Sequence, residues 1–386
     1  MQLMFRVGAV LAAVIMVSAC EDPGKVVRVP GATAVSTTSA PTTSATAQTD
    51  EQRLQLGTLA EGNRMAEVLA LSTDIDPAFV RHGQAGVLTE PMLTIMTGHN
   101  TAISSAAAAN GLLTGFVSQR SNGGDTSADT DWLTHGIMRF PDTASAKAAA
   151  TALATAATTQ SGMLQTGDWA AAELPGASDT RFLTMENRDR LEGMAFTAHR
   201  EFVVFTSARL GGLPEIERTV RAALERQRPL LDSFVATPVA ELAKLPYDPD
   251  GINALAVGNG NVSSGAYGPR GALIFTDDQQ AALTLYREVG LVGIGMDDSA
   301  VYRTADAAAA AKLSAATVAE TLATEGWKGA PAPDGVPGAA CWTDADALQW
   351  ACLVSSGRHV AQIWARSQGE AHSLTGEQHR ALAAAK

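Results

Sequence analysis

Apolar and polar residues alternate along "FTAHREFVVFTSAR" (196–209), broken once by the polar His199-Arg200-Glu201. That pattern predicts a strand, a tight turn and a second strand. It returns without a gap at "LVSSGRHVAQIWAR" (353–366), where the turn falls on Ser356-Gly357-Arg358, and both segments close on Ala-Arg. A helical pattern follows each hairpin. In "PEIERTVRAALERQRPLLDSF" Pro214 suits a first helical turn, Ile216, Val220, Ala223, Leu224 and Leu231 share one face, and Pro229 is placed to kink it. After the second hairpin comes "TGEQHRALAAAK" at residues 375–386.

A strand and an alanine-rich helix precede each hairpin as well. "GIMRFPDTASAKAAATALATAA" matches "SAVYRTADAAAAAKLSAATVAETLA", with Asp142 or Thr143 and Thr304 or Asp306 as N-caps. Further upstream "AEGNRMAEVLALSTDID" is set against "TDDQQAALTLYREVGLVGIGMDD", where Thr276 and Gln279 fit a capping box. Each half therefore reads α-β-α-β-β-α. The expected fold class is α+β: two tandem ferredoxin-like α/β sandwich repeats, each an antiparallel sheet with helices on one face, packed as a pseudo-dimer around a shared groove. The repeats are placed at 55–245 and 246–386, joined near "ELAKLPYDPDG".

The opening 20 residues follow neither pattern. "MQLMFRVGAVLAAVIMVSAC" has one cation, Arg6, then an apolar run from Val7 to Val17 that is too short for a hydrocarbon core of about 30 Å. It reads as a signal peptide over 1–19. Val17-Ser18-Ala19-Cys20 resembles the bacterial lipobox, which implies that Cys20 is diacylglyceryl-modified and becomes the mature N-terminus. Stable anchoring takes two or more acyl chains. The expected location is the outer, extracytoplasmic face of a cell membrane, lipid-anchored. Residues 20–54, rich in Ser, Thr, Ala and Pro, cannot bury enough surface to offset their ordering entropy and are expected to form a disordered tether.

The remaining cysteines, Cys341 and Cys352, lie in "AACWTDADALQWACLV". "ACWT" and "WACL" read as strands and "DADA" as their turn. If Thr343 faces Trp350, Cys341 faces Cys352, within disulfide reach. In an oxidising compartment a structural disulfide is the expectation, its short loop placing it at the low end of roughly 2–4 kcal/mol.

Charge narrows the partners. The net charge of −12 becomes one unit more negative when the leader and Arg6 are removed. Nucleic acid and anionic headgroups are thereby disfavoured. Chemistry is harder to find. His82, His99, His135, His199, His359, His372 and His379 show no HxH, HxxxH or HExxH spacing, and His199 and His359 fall at hairpin turns expected to be solvated. GxSxG and SxxK are absent, and "GNGNVSSG" is no dinucleotide fingerprint. Arg218, Arg221, Arg226 and Arg228 alternate with glutamates as on a solvated helix face. Asp74/Asp76, Asp277/Asp278 and Asp297/Asp298 border helices or turns, where aspartate caps. "YDPDGIN" (247–253) starts like a calcium loop, but in one frame Asn253 stands where Gly is needed and Asn259 where Glu is needed. The other frame opens on Pro246 and ends on Val257. The stretch is read as a Pro-Asp-Gly turn into a strand "NALAV". No catalytic, cofactor or metal residue is assigned.

The whole mature chain resembles an actinobacterial family of envelope lipoproteins of unknown function. The resemblance is carried by "EGNRMAEVL…DIDPAFV" (61–80), "IMRFPDTASAKAAA" (137–150), "LPYDPDGINAL" (245–255) and "YGPRGALIF" (267–275). The Cys341/Cys352 hairpin also resembles disulfide-bearing sensor domains on mycobacterial envelope proteins. The family implies no activity. The expected function is a non-enzymatic binding or sensing module, taking a small amphiphile, a glycan or an envelope protein in the groove between the repeats. The alternatives are a hydrolase with an unrecognised site and a scaffold for other envelope proteins.

Overall fold

The computed structural model describes residues 48–123, 130–163, 165–188 and 190–385. Cys20, the leader and nearly all of the tether lie outside them. The first helix, α1 (Asp50–Met65), begins inside the stretch read as tether. Thr49 and Gln52 form a reciprocal capping box, and Asp50 and Glu51 face the positive end of the helix dipole. Local capping thus orders residues that composition alone assigned to the tether.

The first repeat continues with α2 (Ser72–Ile75), β1 (Arg81–Val87), α3 (Glu90–Met96), α4 (Thr101–Ala109), β2 (Thr114–Ser121) and β3 (Trp132–Arg139). Then follow α5 (Thr143–Thr159), β4 (Ala170–Ala172), β5 (Thr180–Asn187), β6 (Arg190–His199), β7 (Phe202–Leu210) and α6 (Leu213–Ser233). The second repeat runs β8 (Gly265–Tyr267), α7 (Gln279–Glu288), β9 (Gly293–Met296), β10 (Ser299–Arg303), α8 (Ala307–Ala323) and β11 (Lys328–Ala330). It ends with β12 (Ala340–Thr343), β13 (Trp350–Ser356), β14 (His359–Ala365) and α9 (Gln368–Ala384).

Two seven-stranded antiparallel sheets result, one per repeat. Their orders are β1-β2-β3-β7-β6-β5-β4 and β8-β9-β10-β14-β13-β12-β11, the same order element by element. The duplicated hairpins are β6–β7 and β13–β14. Arg200 and Gly357 hold equivalent turn positions with positive φ (54° and 56°). The helices before them are capped identically, Asp142 accepting from the Ser145 N–H (2.7 Å) and Asp306 from Ala309 (2.8 Å).

The upstream correspondence is corrected. Helix α1 precedes β1 whereas α7 follows β8, so the counterpart of α7 is α3–α4, between β1 and β2. Asn100 and Asp278 cap α4 and α7 alike, each side chain accepting two backbone N–H groups. The N-cap of α7 is therefore Asp278. Thr276 and Gln279 instead bond the Leu273 carbonyl (3.0 and 3.1 Å). The segment "NALAV" is no strand but a single 3₁₀ turn, Asn253–Leu255, because Asp248 Oδ2 takes the Ala254 N–H (2.8 Å) and Ser299 Oγ takes that of Val257 (2.9 Å). Strands β4, β8 and β11 escape a period-two reading since each has only three residues.

The α+β expectation with one antiparallel sheet per repeat holds, with helices covering both faces rather than one. Along β6, Met194 and Phe196 pack with α3–α5 while Ala195 joins the core that holds α6. Apolar residues on both sides of a strand require cover on both sides. The core containing α6 also runs into the second repeat. Phe116 of β2 meets Tyr267 edge-on (5.8 Å), and Tyr267 packs against Phe275 (4.9 Å). At Gly86 a Cβ would stand 2.1 Å from the Val262 carbonyl oxygen, so only glycine allows this backbone approach between the repeats.

Candidate functional site

The join between the repeats, where the groove was expected, is packed with side chains at these positions. Arg120 of β2 is fully buried there and donates to the carbonyls of Phe79, Val80, Ile274, Thr276 and Asp277. Burial lowers its pKa to about 10, so the group stays charged at neutral pH. Asp277 accepts the His82 N–H (2.7 Å) and pairs with Arg81 (3.4 Å). Burial still lifts its carboxyl above the ordinary range. Glu67 fills the turn of "YGPRG", taking the N–H groups of Arg270 and Gly271 (3.2 and 2.8 Å). Its carboxyl is also raised by burial. These groups are spent on holding backbone together.

The other singled-out residues are placed just as structurally. Cys341 lies opposite Cys352 in the β12–β13 register, and the two are bridged. Asp297 and Asp298 hold the loop after Val257 through the N–H groups of Gly260 (2.9 Å) and Asn259 (3.1 Å). Asp76 caps Ala78 (2.9 Å) and Asp74 pairs with Arg270 (3.7 Å). Arg221 pairs with Glu217, Arg228 with Asp179, and Arg226 reaches the Asp74 carbonyl. His199 meets Asp232 (2.7 Å). His359 is not solvated as expected: it starts β14 inside the sheet, where Arg303 donates to it (3.2 Å). Among the described residues no group of three His, Cys, Asp or Glu side chains is placed to hold a metal ion, and no helix is long and apolar enough to cross a membrane.

His135 is fully buried between Thr206 (3.1 Å) and Gln227 (3.0 Å). Because Gln227 Oε1 can only accept, the ring carries a proton on Nε2. Burial depresses its pKa to about 4 against an ordinary 6.5. Between those values the unfolded chain binds the proton and the folded chain does not, so stability is lost as pH falls. From pH 7 to 5 the wild type should lose about 2 kcal/mol more in urea unfolding than His135→Gln. Equal losses in the two chains would remove the assignment.

A different kind of site opens beneath α8. A crevice with room for about one water molecule is lined by Thr317 and Thr321 of α8 and by Trp342, Leu353, Gln362 and Trp364 of the sheet. The Gln362 Oε1 accepts from the Tyr302 hydroxyl (3.1 Å), which leaves its Nε2 without a protein partner. Tyr286, ring centroid 6.1 Å from Tyr302, has a buried hydroxyl making no well-formed hydrogen bond, and Ser314 Oγ is likewise buried and unpaired. Burial holds both tyrosine hydroxyls protonated, well above their ordinary pKa, with Glu320 adding to the effect.

The internal duplication makes this cleft informative. With the Asp142 and Asp306 caps in register, Ala150, Leu153, Ala156 and Ala157 of α5 correspond to Ser314, Thr317, Glu320 and Thr321 of α8. With the hairpins in register, Phe205 corresponds to Gln362 and Met194 to Ala351. In the first repeat the space is plugged: Leu153 is fully buried, and Phe205 stacks on Phe196 (5.4 Å, 16° between planes). The second repeat has exchanged that plug for hydroxyls, an amide and a carboxylate. The gapless hairpin match already set Phe205 beside Gln362, a signal readable as an apolar-to-polar exchange at a buried position.

Residues 47–247 match the family described as Domain of unknown function (DUF7373) N-terminal, and residues 248–385 match its C-terminal counterpart. No curated protein matches the chain. Among solved structures it is similar to the extracellular domain of PknH from Mycobacterium tuberculosis, with 14% identity and a TM-score of 0.34 over 45% of this chain and 97% of that one. With both repeats matched by the paired N- and C-terminal halves of one family, the chain belongs to the DUF7373 family.

Proposed function

We propose that this chain is a lipid-anchored extracytoplasmic module of the cell envelope that binds a ligand without transforming it, and that the cleft of the second repeat is its recognition site. The observation that carries the reading is the contrast between copies of one fold: where the first repeat packs Leu153, Phe196 and Phe205, the second places Thr317 and Gln362 around a small polar crevice. Natural cores do not leave buried polar atoms unpaired without cause. The anchor and location rest on the Val17–Cys20 lipobox and on residues 20–48, which would lift the folded body off the membrane. The ionisable groups at the join are engaged by backbone groups, which favours binding over acid–base chemistry.

The test is mass spectrometry of small molecules that co-purify with natively produced full-length chain after gentle detergent extraction, run beside Cys20→Ala. One retained compound class, and transfer of Cys20→Ala from the membrane to the soluble fraction, is expected. Recovery of no compound sinks the binding reading, and an unchanged membrane fraction sinks the anchor.

A further inference from the structure

We infer that Asn259–Gly260 is a self-modifying site, at which the Asp297 carboxylate assists conversion of the Asn259 amide to an acid, independently of any bound ligand. The chain has three Asn–Gly pairs, at 110–111, 122–123 and 259–260. Such a pair can close on itself, because a glycine after asparagine leaves its backbone nitrogen unhindered beside the side-chain amide carbon. Two of the three are tied down. Asn110 donates its side-chain amide to the Ala106 carbonyl (2.8 Å) at the end of α4, and Asn122 donates its own to Asp131 Oδ2 (3.0 Å). Asn259 is exposed, and its side-chain amide has no hydrogen-bond partner among the described residues.

The loop around Asn259 lies directly on two carboxylates. Asp298 Oδ2 accepts the Asn259 N–H (3.1 Å) and Asp297 Oδ1 accepts that of Gly260 (2.9 Å). A Cβ at Gly258 would stand 2.3 Å from the same Asp297 oxygen, so the backbone there has no room for a side chain. The Gly260 nitrogen is the nucleophile of the reaction, and the group it touches is a base. Burial, joined by the like charge of Asp298, raises the Asp297 carboxyl above its ordinary range, which makes it a better proton acceptor than a solvated carboxylate. The Gly260 nitrogen bonds to the Asn259 Cγ as its proton passes to Asp297 Oδ1. The Cγ–Nδ2 bond breaks, and ammonia leaves with that proton. Water then opens the cyclic imide at either carbonyl, giving aspartate or isoaspartate and restoring the Gly260 N–H. Either product sets a third carboxylate beside Asp297 and Asp298, and isoaspartate adds one atom to the main chain. The residues just beyond touch the first repeat: Ser263 Oγ donates to the Ala85 carbonyl (2.7 Å), and the Val262 carbonyl lies against Gly86. The modification therefore acts on a loop that fastens the repeats together.

The test is a time course of the full-length chain held folded in detergent at neutral pH, digested under mildly acidic conditions and read by mass spectrometry for amide-to-acid conversion at each pair. Asn259 should convert about tenfold or more faster than Asn110 and Asn122. Asp297→Asn keeps a hydrogen-bond acceptor but removes the base, and should slow conversion at Asn259 by a similar factor. Asn259→Gln should abolish it. Conversion at Asn259 no faster than at the other two pairs overturns the site. Equal or faster conversion in Asp297→Asn shows that the carboxylate restrains the loop and overturns its role as the base. The three pairs are compared within the wild-type chain, so that arm stands even where a variant loses its loop.

Discussion

Arg120→Met is expected to destabilise the fold by about 4 kcal/mol, the range seen when one member of a buried charged network is removed. The guanidinium donates to five carbonyls, two on the segment before β1 and three on the segment before α7. Methionine fills the volume but donates nothing, and each buried carbonyl left unpaired costs about 1–3 kcal/mol. Lysine restores the charge at one point and cannot span the five acceptors. Thermal melting should therefore rank wild type above Arg120→Lys and that above Arg120→Met, with the last lower by about 10 °C. A methionine variant within about 1 kcal/mol of wild type would show that the carbonyls find other partners.

Glu61→Ala should be comparably severe. Glu61 is fully buried in α1 and accepts from Arg139 (2.7 Å), from the Thr237 N–H (2.9 Å) and hydroxyl (2.8 Å), and from Arg64. Its loss leaves Arg139, 4% exposed, without its hydrogen-bonded carboxylate and beside the like charge of Arg64. The expected cost is about 3–5 kcal/mol. The cause can be separated from loss of packing. Glu61→Leu combined with Arg139→Met removes both charges and should cost less than Glu61→Ala alone, as measured by urea midpoints. A double variant as unstable as the sum of the two singles would mean that the ion pair is not what holds α1 to the 235–237 segment.

What could be read along the chain was what depends on near neighbours. Hairpins β6–β7 and β13–β14 follow from a period of two around a polar turn, and the Asp142 and Asp306 caps act on an N–H three residues away. The Cys341–Cys352 register needed only one strand pairing to be counted outward from the turn. Three-residue edge strands carry too few positions for a period. The start of α1 was hidden because a capping box of two residues overrode the composition of the stretch before it.

The candidate site was half legible. The exchange of Phe205 for Gln362 stood in the aligned hairpins, but its meaning depends on which face of β14 meets α8, and that is settled only when the helix packs. Likewise Arg120 shares a strand face with Phe116 and Ser118, and by alternation alone looks like a misplaced cation. Its acceptors lie about 40 residues earlier and about 155 later in the chain. The amino-acid sequence by itself determined the duplicated α+β plan, its turns, its caps and its cysteine register, because short-range sterics and hydrogen bonds specify each of them. Tertiary structure alone decided that Arg120, Phe116 and Tyr267 pack where the repeats meet, that buried charge serves backbone carbonyls there, and that a small polar crevice stands in the second copy. Those outcomes depend on contacts between segments far apart in sequence, whose free energy exists only once both sheets have packed.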